Sequence, residues 1–241
     1  MGWGDDVMTT DIVRKANIKT GKLVLVGDGS SIHWSPVFDG NPRLSRTIEP
    51  DCVWVKSYPG HRPYIDVIEN DRYVFNDSFR VEPGELYISR LEKSDYVYIE
   101  PNIKGELGIN KDWGFENWQK VVDGLPEIRF LQGSGRRLDR VEQVETASFL
   151  DACRVLSGAR LFVGTDGGLH HAAAALSLPA VVVWTGFSPS KVLGYDNHIN
   201  LQADVKACGK FGECEHCKDA ARQITVENVY ESVLRLISVS V

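Results

Sequence analysis

The chain lacks the features that would place it across a membrane or along nucleic acid. In its 241 residues no apolar run approaches the roughly 18 or more that a membrane span needs. The most apolar stretch, Ala172 to Trp184, is interrupted by Ser177 and Pro179. The start, Met1-Gly2-Trp3-Gly4-Asp5-Asp6, has neither the basic nor the apolar region of a signal peptide, and Asp6 stands where a myristoylation signal needs Ser or Thr. Positive charge is in deficit: 27 Lys and Arg face 33 Asp and Glu, a net charge of −6. That balance argues against a dedicated nucleic-acid binder, although a local basic cleft remains open. The five cysteines are an odd number, with three crowded into Cys208, Cys214 and Cys217, unlike the even, dispersed set of a secreted disulfide framework. No internal repeat or low-complexity tract is visible. These absences lead to the expectation of a reducing, cytoplasmic compartment.

What is present is an ordinary globular composition, 43% apolar and 25% charged. At roughly 100–200 residues per domain, the length allows one large domain or two small ones. The second half alternates strands with helices. Apolar runs at Tyr96–Glu100, Ile128–Gln132, Arg160–Gly164 and Pro179–Trp184 read as strands. Helical spacing appears at Trp118, Val121, Val122 and Leu125, again from Ala147 to Leu156, then from Gly168 to Leu178, and finally after Thr225. Strands that are uniformly apolar and alternate with helices indicate a parallel sheet covered on both faces. The first half is less regular, with a helix expected over Thr10–Asn17 and strands at Lys22–Val26, Cys52–Lys56, Arg72–Phe75 and Glu85–Ser89. A boundary in the charged stretch Leu91–Asp95 divides the chain into residues 1–94 and 95–241, two α/β lobes with the default site in the cleft between them.

The sharpest feature is Phe162-Val-Gly-Thr-Asp-Gly-Gly-Leu-His-His-Ala-Ala-Ala-Ala-Leu-Ser-Leu-Pro179. A strand ends, a Gly-rich turn follows, and a helix of small residues begins at once. The unpaired N–H groups and dipole of such a helix start suit a phosphate. Gly167 and Gly168 would let the backbone approach it, and the Ala run would let the helix lie close to the sheet. Asp166 could equally be a plain helix cap.

This segment resembles the donor-binding signature of glycosyltransferase family 9, the ADP-heptose:lipopolysaccharide heptosyltransferases and their relatives. The family pattern of Gly-x-Asp-Ser/Thr-Gly-x-x-His, an Ala-rich helix, Pro and an apolar strand ending in Gly reads here as Gly164, Asp166, Gly167, Gly168, Leu169 and His171, then Pro179 and Gly186. Gly167 departs from the family's Ser or Thr. Pro101 to Trp113 resembles the strand, Pro-containing loop and Lys-x-Trp helix start of the family, which implies Lys111 on the donor diphosphate. Gly4-Asp5-Asp6-Val7-Met8-Thr9-Thr10 resembles the loop that supplies the family's catalytic aspartate; Asp5 aligns best and Asp6 is the second choice.

The resemblance implies a GT-B fold of two Rossmann-like lobes with a reduced amino-terminal, acceptor-side lobe. It implies inverting transfer of a sugar, heptose in the namesake enzymes, from a nucleoside-diphosphate donor of the ADP-sugar class to an acceptor hydroxyl, with no metal needed for catalysis. A protein or modified DNA base as acceptor, and a non-catalytic nucleotide-sugar-binding or scaffold protein derived from the same fold, are the alternatives. The cluster Cys208-Gly-Lys-Phe-Gly-Glu-Cys214-Glu-His-Cys217 has metal-ligand spacing. A structural zinc or iron there would draw its fourth ligand from Cys52, Cys153 or a histidine.

Overall fold

The computed structural model describes residues 2–239. It begins with a long helix, α1 (Trp3–Thr20), which carries Asp5 and Asp6 in its first turn and ends where Gly21 takes a left-handed conformation, φ 70°, with its N–H on Asn17 O. The helix starts seven residues before the expected Thr10. Two acids at a helix start favour its dipole, and the glycines at 2 and 4 accept helix-start geometry rather than forming a loop. The segment carrying Asp5 is therefore a helical turn.

Strands β1 (Val24–Gly27) and β2 (Val53–Lys56) form a small parallel sheet, and β3 (Ile65–Glu69) and β4 (Arg72–Phe75) form an antiparallel hairpin. The strand expected over Glu85–Ser89 is absent. This stretch is extended but unpaired, with backbone donors served by side chains: Glu85 N–H donates to Thr10 Oγ1 and Leu91 N–H to Ser157 Oγ.

The second half follows the alternation read in the sequence. Its elements are β5 (Val97–Glu100), α2 (Phe115–Gly124), β6 (Phe130–Gln132), β7 (Glu142–Gln143), α3 (Phe149–Ser157), β8 (Leu161–Thr165), α4 (Gly168–Ala175), β9 (Ala180–Trp184), α5 (Ser190–Leu193), β10 (His198–Gln202), α6 (Glu215–Gln223) and α7 (Val226–Val239). The six strands are all parallel, in the order β10-β9-β8-β5-β6-β7.

Residues alternate across this sheet as strand geometry requires. Tyr98, Phe162, Ala180, Val182 and Trp184 enter one apolar cluster, and Val97, Ile99, Leu161, Val163, Val181 and Val183 the other. The second cluster is closed by α2 and α7. The first continues through α3 and α4 into Val7, Val13, Val24 and Val26, so the small amino-terminal sheet and α1 pack directly on the large one. Trp118 and Trp184 are fully buried, as expected of core residues. Among the described residues no helix is long and apolar enough to cross a membrane.

Candidate active site

The close packing of α1 on α4 sets the geometry of the site. A Cβ on Gly4 would lie 2.7 Å from His171 Cδ2 and 3.3 Å from the Cα of Gly168. One on Gly168 would lie 3.0 Å from Phe149 Cε2 and 3.4 Å from Gly4 N. Only glycine at both positions allows this approach, which sets the first turn of α1 beside the start of α4. Between them opens a cleft of about 790 Å3 at the carboxyl ends of β5 and β8, where open parallel sheets bind ligands.

Of the residues singled out in the sequence, Asp5, Lys111, Asp166, Gly167, Gly168, Leu169 and His171 all line this cleft. Asp6 does not. It is buried behind the helix, where Oδ1 meets His33 Nε2 at 3.0 Å, because consecutive helical residues point about 100° apart.

Asp5 is held by three donors: Gly2 N–H at 2.9 Å and Arg62 Nε–H at 3.0 Å on Oδ2, and the Tyr64 hydroxyl on Oδ1. Burial and the Asp5 charge push the Tyr64 pKa well up, so its hydroxyl keeps its proton. Arg62 and Tyr64 enter from the segment leading into β3. Neither was legible as a site residue, since nothing in their spacing separates them from Arg43 and Arg46, which pair with Glu85 and Asp39 elsewhere.

Asp166 follows β8 and is buried against Lys111 Nζ at 2.7 Å and the Ser188 hydroxyl. Burial opposes its charge, but Lys111 and the Ser188 hydrogen bond outweigh it and hold the carboxyl below its usual range. Lys111 ends a 3-10 turn, Glu106–Lys111, rather than opening a helix; α2 starts four residues later. Gly168 and Leu169, whose N–H groups are among the first of α4 and unpaired within the helix, line the cleft.

His170 and His171 are both buried with pKa values lowered, chiefly by desolvation, and are neutral. His171 Nδ1 lies 2.8 Å from the Tyr195 hydroxyl. His170 bridges Gly167 and Leu193 O, bracing the turn around Asp166. Asp166, His170 and His171 bring ligand atoms within 4.8 Å of one another, but Lys111, Gly167 and Tyr195 already occupy them.

The three clustered cysteines converge. Cys208 Sγ is 3.3 Å from Cys217 Sγ and 3.8 Å from Cys214 Sγ. Cys52 and Cys153 do not join them. Cys153 is buried in the core on the inner face of α3 and Cys52 precedes β2, while His216 Nε2–H donates to Lys206 O. Among the described residues the cluster supplies three ligands, and the fourth expected from these positions is not there.

The sequence profile of glycosyltransferase family 9 (heptosyltransferase) matches residues 77–219, more than half of the chain. The chain belongs to glycosyltransferase family 9. Lipopolysaccharide heptosyltransferase 1 of Escherichia coli is 29% identical over an alignment of 100 residues that covers 36% of this chain and 31% of that protein. The match thus spans about a third of the curated relative's length.

Two solved structures share the fold. The family 9 glycosyl transferase of Veillonella parvula superposes with a TM-score of 0.66 at 12% identity, covering 99% of this chain and 95% of that one. The dodecameric iron-containing heptosyltransferase TibC of enterotoxigenic E. coli, in complex with ADP-D-β-D-heptose, gives 0.56 at 16% identity over 83% and 63% of the two chains. This family 9 chain has an α/β fold of GT-B type, with most of its regular structure in residues 95–241.

Proposed function

We propose that this family 9 protein binds a nucleoside-diphosphate sugar, an ADP-sugar by preference, and transfers the sugar to an acceptor hydroxyl with inversion. The observation that carries this reading is the Gly4–Gly168 contact, which sets a carboxylate from one lobe beside a helix start and a Lys–Asp pair from the other. TibC, a heptosyltransferase of similar fold, is bound to ADP-D-β-D-heptose, which supports the choice of donor.

Asp5 is the general base. A carboxylate accepts about four hydrogen bonds, and three are taken by Gly2, Arg62 and Tyr64; the remaining lone pair is free for an acceptor hydroxyl. That hydroxyl gives its proton to Asp5 as its oxygen bonds to the anomeric carbon. The bond to the diphosphate breaks on the opposite face, and the nucleotide leaves with the electron pair. Lys111 and the α4 N–H groups meet the charge that grows on the leaving diphosphate, where preorganised electrostatics have most effect. Asp166 orients Lys111 and accepts from a donor hydroxyl.

The three thiols are proposed to hold a structural zinc or iron ion. Sulfurs around a tetrahedral zinc at about 2.3 Å lie about 3.8 Å apart, close to the Cys208–Cys214 spacing of 3.8 Å. All five cysteines are free thiols, which supports a reducing compartment such as the cytoplasm.

Thermal unfolding with ADP, GDP, UDP and dTDP tests the donor site. A nucleotide at 100 times its Kd stabilises by about 2.7 kcal/mol, roughly 5–11 °C for a chain of this size. A shift with one nucleotide that Asp166→Ala weakens supports the transferase reading. No shift with any nucleotide or its sugar conjugate replaces it with that of a scaffold.

A further inference from the structure

One acidic side chain in the cleft has no part in the chemistry just described. Glu100 ends β5 and is paired in register with Gly164 of β8, two residues before Asp166. Adjacent strands are about 4.8 Å apart, so Glu100 and the Asp166 turn share the same end of the sheet.

The other two carboxyls lining the cleft are each matched by a cation, Asp5 by Arg62 and Asp166 by Lys111. Among the described residues no cation pairs with Glu100. Its partners among the described residues are both in Asn102: the N–H lies 2.8 Å from Oε1, and the side-chain amide stands beside the carboxyl and favours its charged form. Burial raises the Glu100 pKa to about 7, with Asn102 offsetting part of the rise.

Asn102 is the second half of the feature. Its Oδ1 accepts from the Arg136 N–H at 3.0 Å, which fixes the amide's orientation. Its Nδ2 is buried with no hydrogen bond of good geometry, and it too lines the cleft. A buried unpaired donor beside an under-used carboxyl acceptor calls for an explanation, and a polar ligand supplies one.

We propose that Glu100 and Asn102 form a diol-reading subsite: the Glu100 carboxylate accepts from two vicinal hydroxyls of the donor while Asn102 Nδ2 donates to one of them. A carboxylate at the end of a parallel strand can take both hydroxyls of a diol at once, whereas it repels a phosphate, which only accepts. The diol is that of the nucleotide ribose or of the transferred sugar. The inference rests on the donor site proposed above.

The test is calorimetric titration of wild type, Glu100→Ala, Glu100→Gln and Lys111→Ala with ADP, 2′-deoxy-ADP, 3′-deoxy-ADP and an ADP-sugar. A charge-assisted pair of hydrogen bonds predicts about 10- to 100-fold weaker binding in Glu100→Ala. If the diol is the ribose, ADP alone shows the loss, and the deoxy nucleotides bind wild type as weakly as ADP binds the variant. If it is that of the transferred sugar, only the ADP-sugar shows it.

The pH dependence adds a signature that mere structure would not produce. Affinity for the diol rises as pH passes about 7, where Glu100 ionises, and this rise is missing in Glu100→Gln. The other ionisable groups lining the cleft, Asp5, Arg62, Tyr64, Tyr73, Lys104, Lys111, Asp166, His171 and Lys210, are common to both proteins, as is the nucleotide's own phosphate, so the difference between the two is what is read. Equal binding of every ligand by wild type and both Glu100 variants, with Lys111→Ala still defective, overturns the subsite and leaves the donor site standing. No binding of any ligand by wild type overturns both.

Discussion

Gly4 and Gly168 meet backbone to backbone, the Cα of Gly168 lying 3.3 Å from where a Gly4 Cβ would be. Both glycines are helical, at the first turns of α1 and α4. A Gly-to-Ala change in an exposed helix stabilises by roughly 0.8–1.0 kcal/mol. Here the sign reverses. An alanine at 4 would press 2.7 Å onto the buried ring of His171, which Tyr195 holds in place. Gly4→Ala is expected to push α1 away from α4, and a displacement of about 1 Å between reacting groups can lower turnover about 100-fold. Turnover together with Tm reads the outcome. A variant as active as wild type would mean that the α1–α4 contact does not align the site.

Asp5 on α1 and Lys111 before α2 reach the same cleft from different elements, and their variants should fail differently. Asp5→Ala removes the base and leaves Arg62 and Tyr64 without their partner. Turnover is expected to drop about 100- to 10,000-fold, with a stability cost of about 1–3 kcal/mol for the unpaired groups. Nucleotide affinity should hold. Lys111→Ala should weaken nucleotide binding itself and leave Asp166 buried without its cation. Single-turnover kinetics beside calorimetry separate the two, and a loss of ADP affinity in Asp5→Ala would contradict the division of labour.

The large sheet and most of the donor side were legible in the sequence because they depend on local pattern. β8, the turn at Asp166 to Gly168 and the Ala-rich α4 lie in one continuous segment, and β9 is uniformly apolar because both its faces are buried. The first turn of α1 was read as a loop because glycines at 2 and 4 look like helix breakers until the tight contact with α4 is known. Arg62, Tyr64, Ser188 and Glu100 carried no local signal; the chain brings Tyr64 to Asp5 across 59 residues. The edge strand β10 was overlooked because His198–Gln202 is short and only half apolar. The fourth metal ligand was sought at Cys52 and Cys153, whose distance from the cluster is a matter of tertiary structure alone.

Buried histidines set the acid limit of the fold. The His198 pKa is lowered to about 3 by burial, and those of His170 and His171 are lowered by the same cause. In the unfolded chain each takes a proton near pH 6.5. Below that pH the unfolded state therefore binds more protons than the native state, and stability falls as pH drops. Each such histidine contributes a slope of up to about 1.4 kcal/mol per pH unit. Asp166, with its carboxyl pKa held low, adds to the loss only below about pH 4, where the unfolded chain protonates. Tm should fall steadily from pH 7 to 5, and less steeply in His198→Gln. A flat profile would show that these rings accept protons without unfolding.

The cysteine cluster is tied to the donor side through Asn110. Its Nδ2 donates to Lys210 O at 2.6 Å and Gly212 O at 2.5 Å, both between Cys208 and Cys214. Asn110 immediately precedes Lys111, and its own carbonyl accepts from Thr185 Oγ1 at 2.5 Å. The same cysteine segment reaches Gly186 and Phe187, next to the Ser188 that binds Asp166. An ion drawing the three thiolates together would brace both supports of the Lys111–Asp166 pair. Elemental analysis of protein purified without chelator should find close to one zinc or iron per chain, and Cys214→Ser or Cys217→Ser should abolish it. Stripping the ion should lower Tm and raise the KM for the donor more than it lowers kcat, because Lys111 loses its brace while Asp5 does not. Metal content below a tenth of an ion per chain, unchanged by the serine variants, would mean that the three thiols pack together without one.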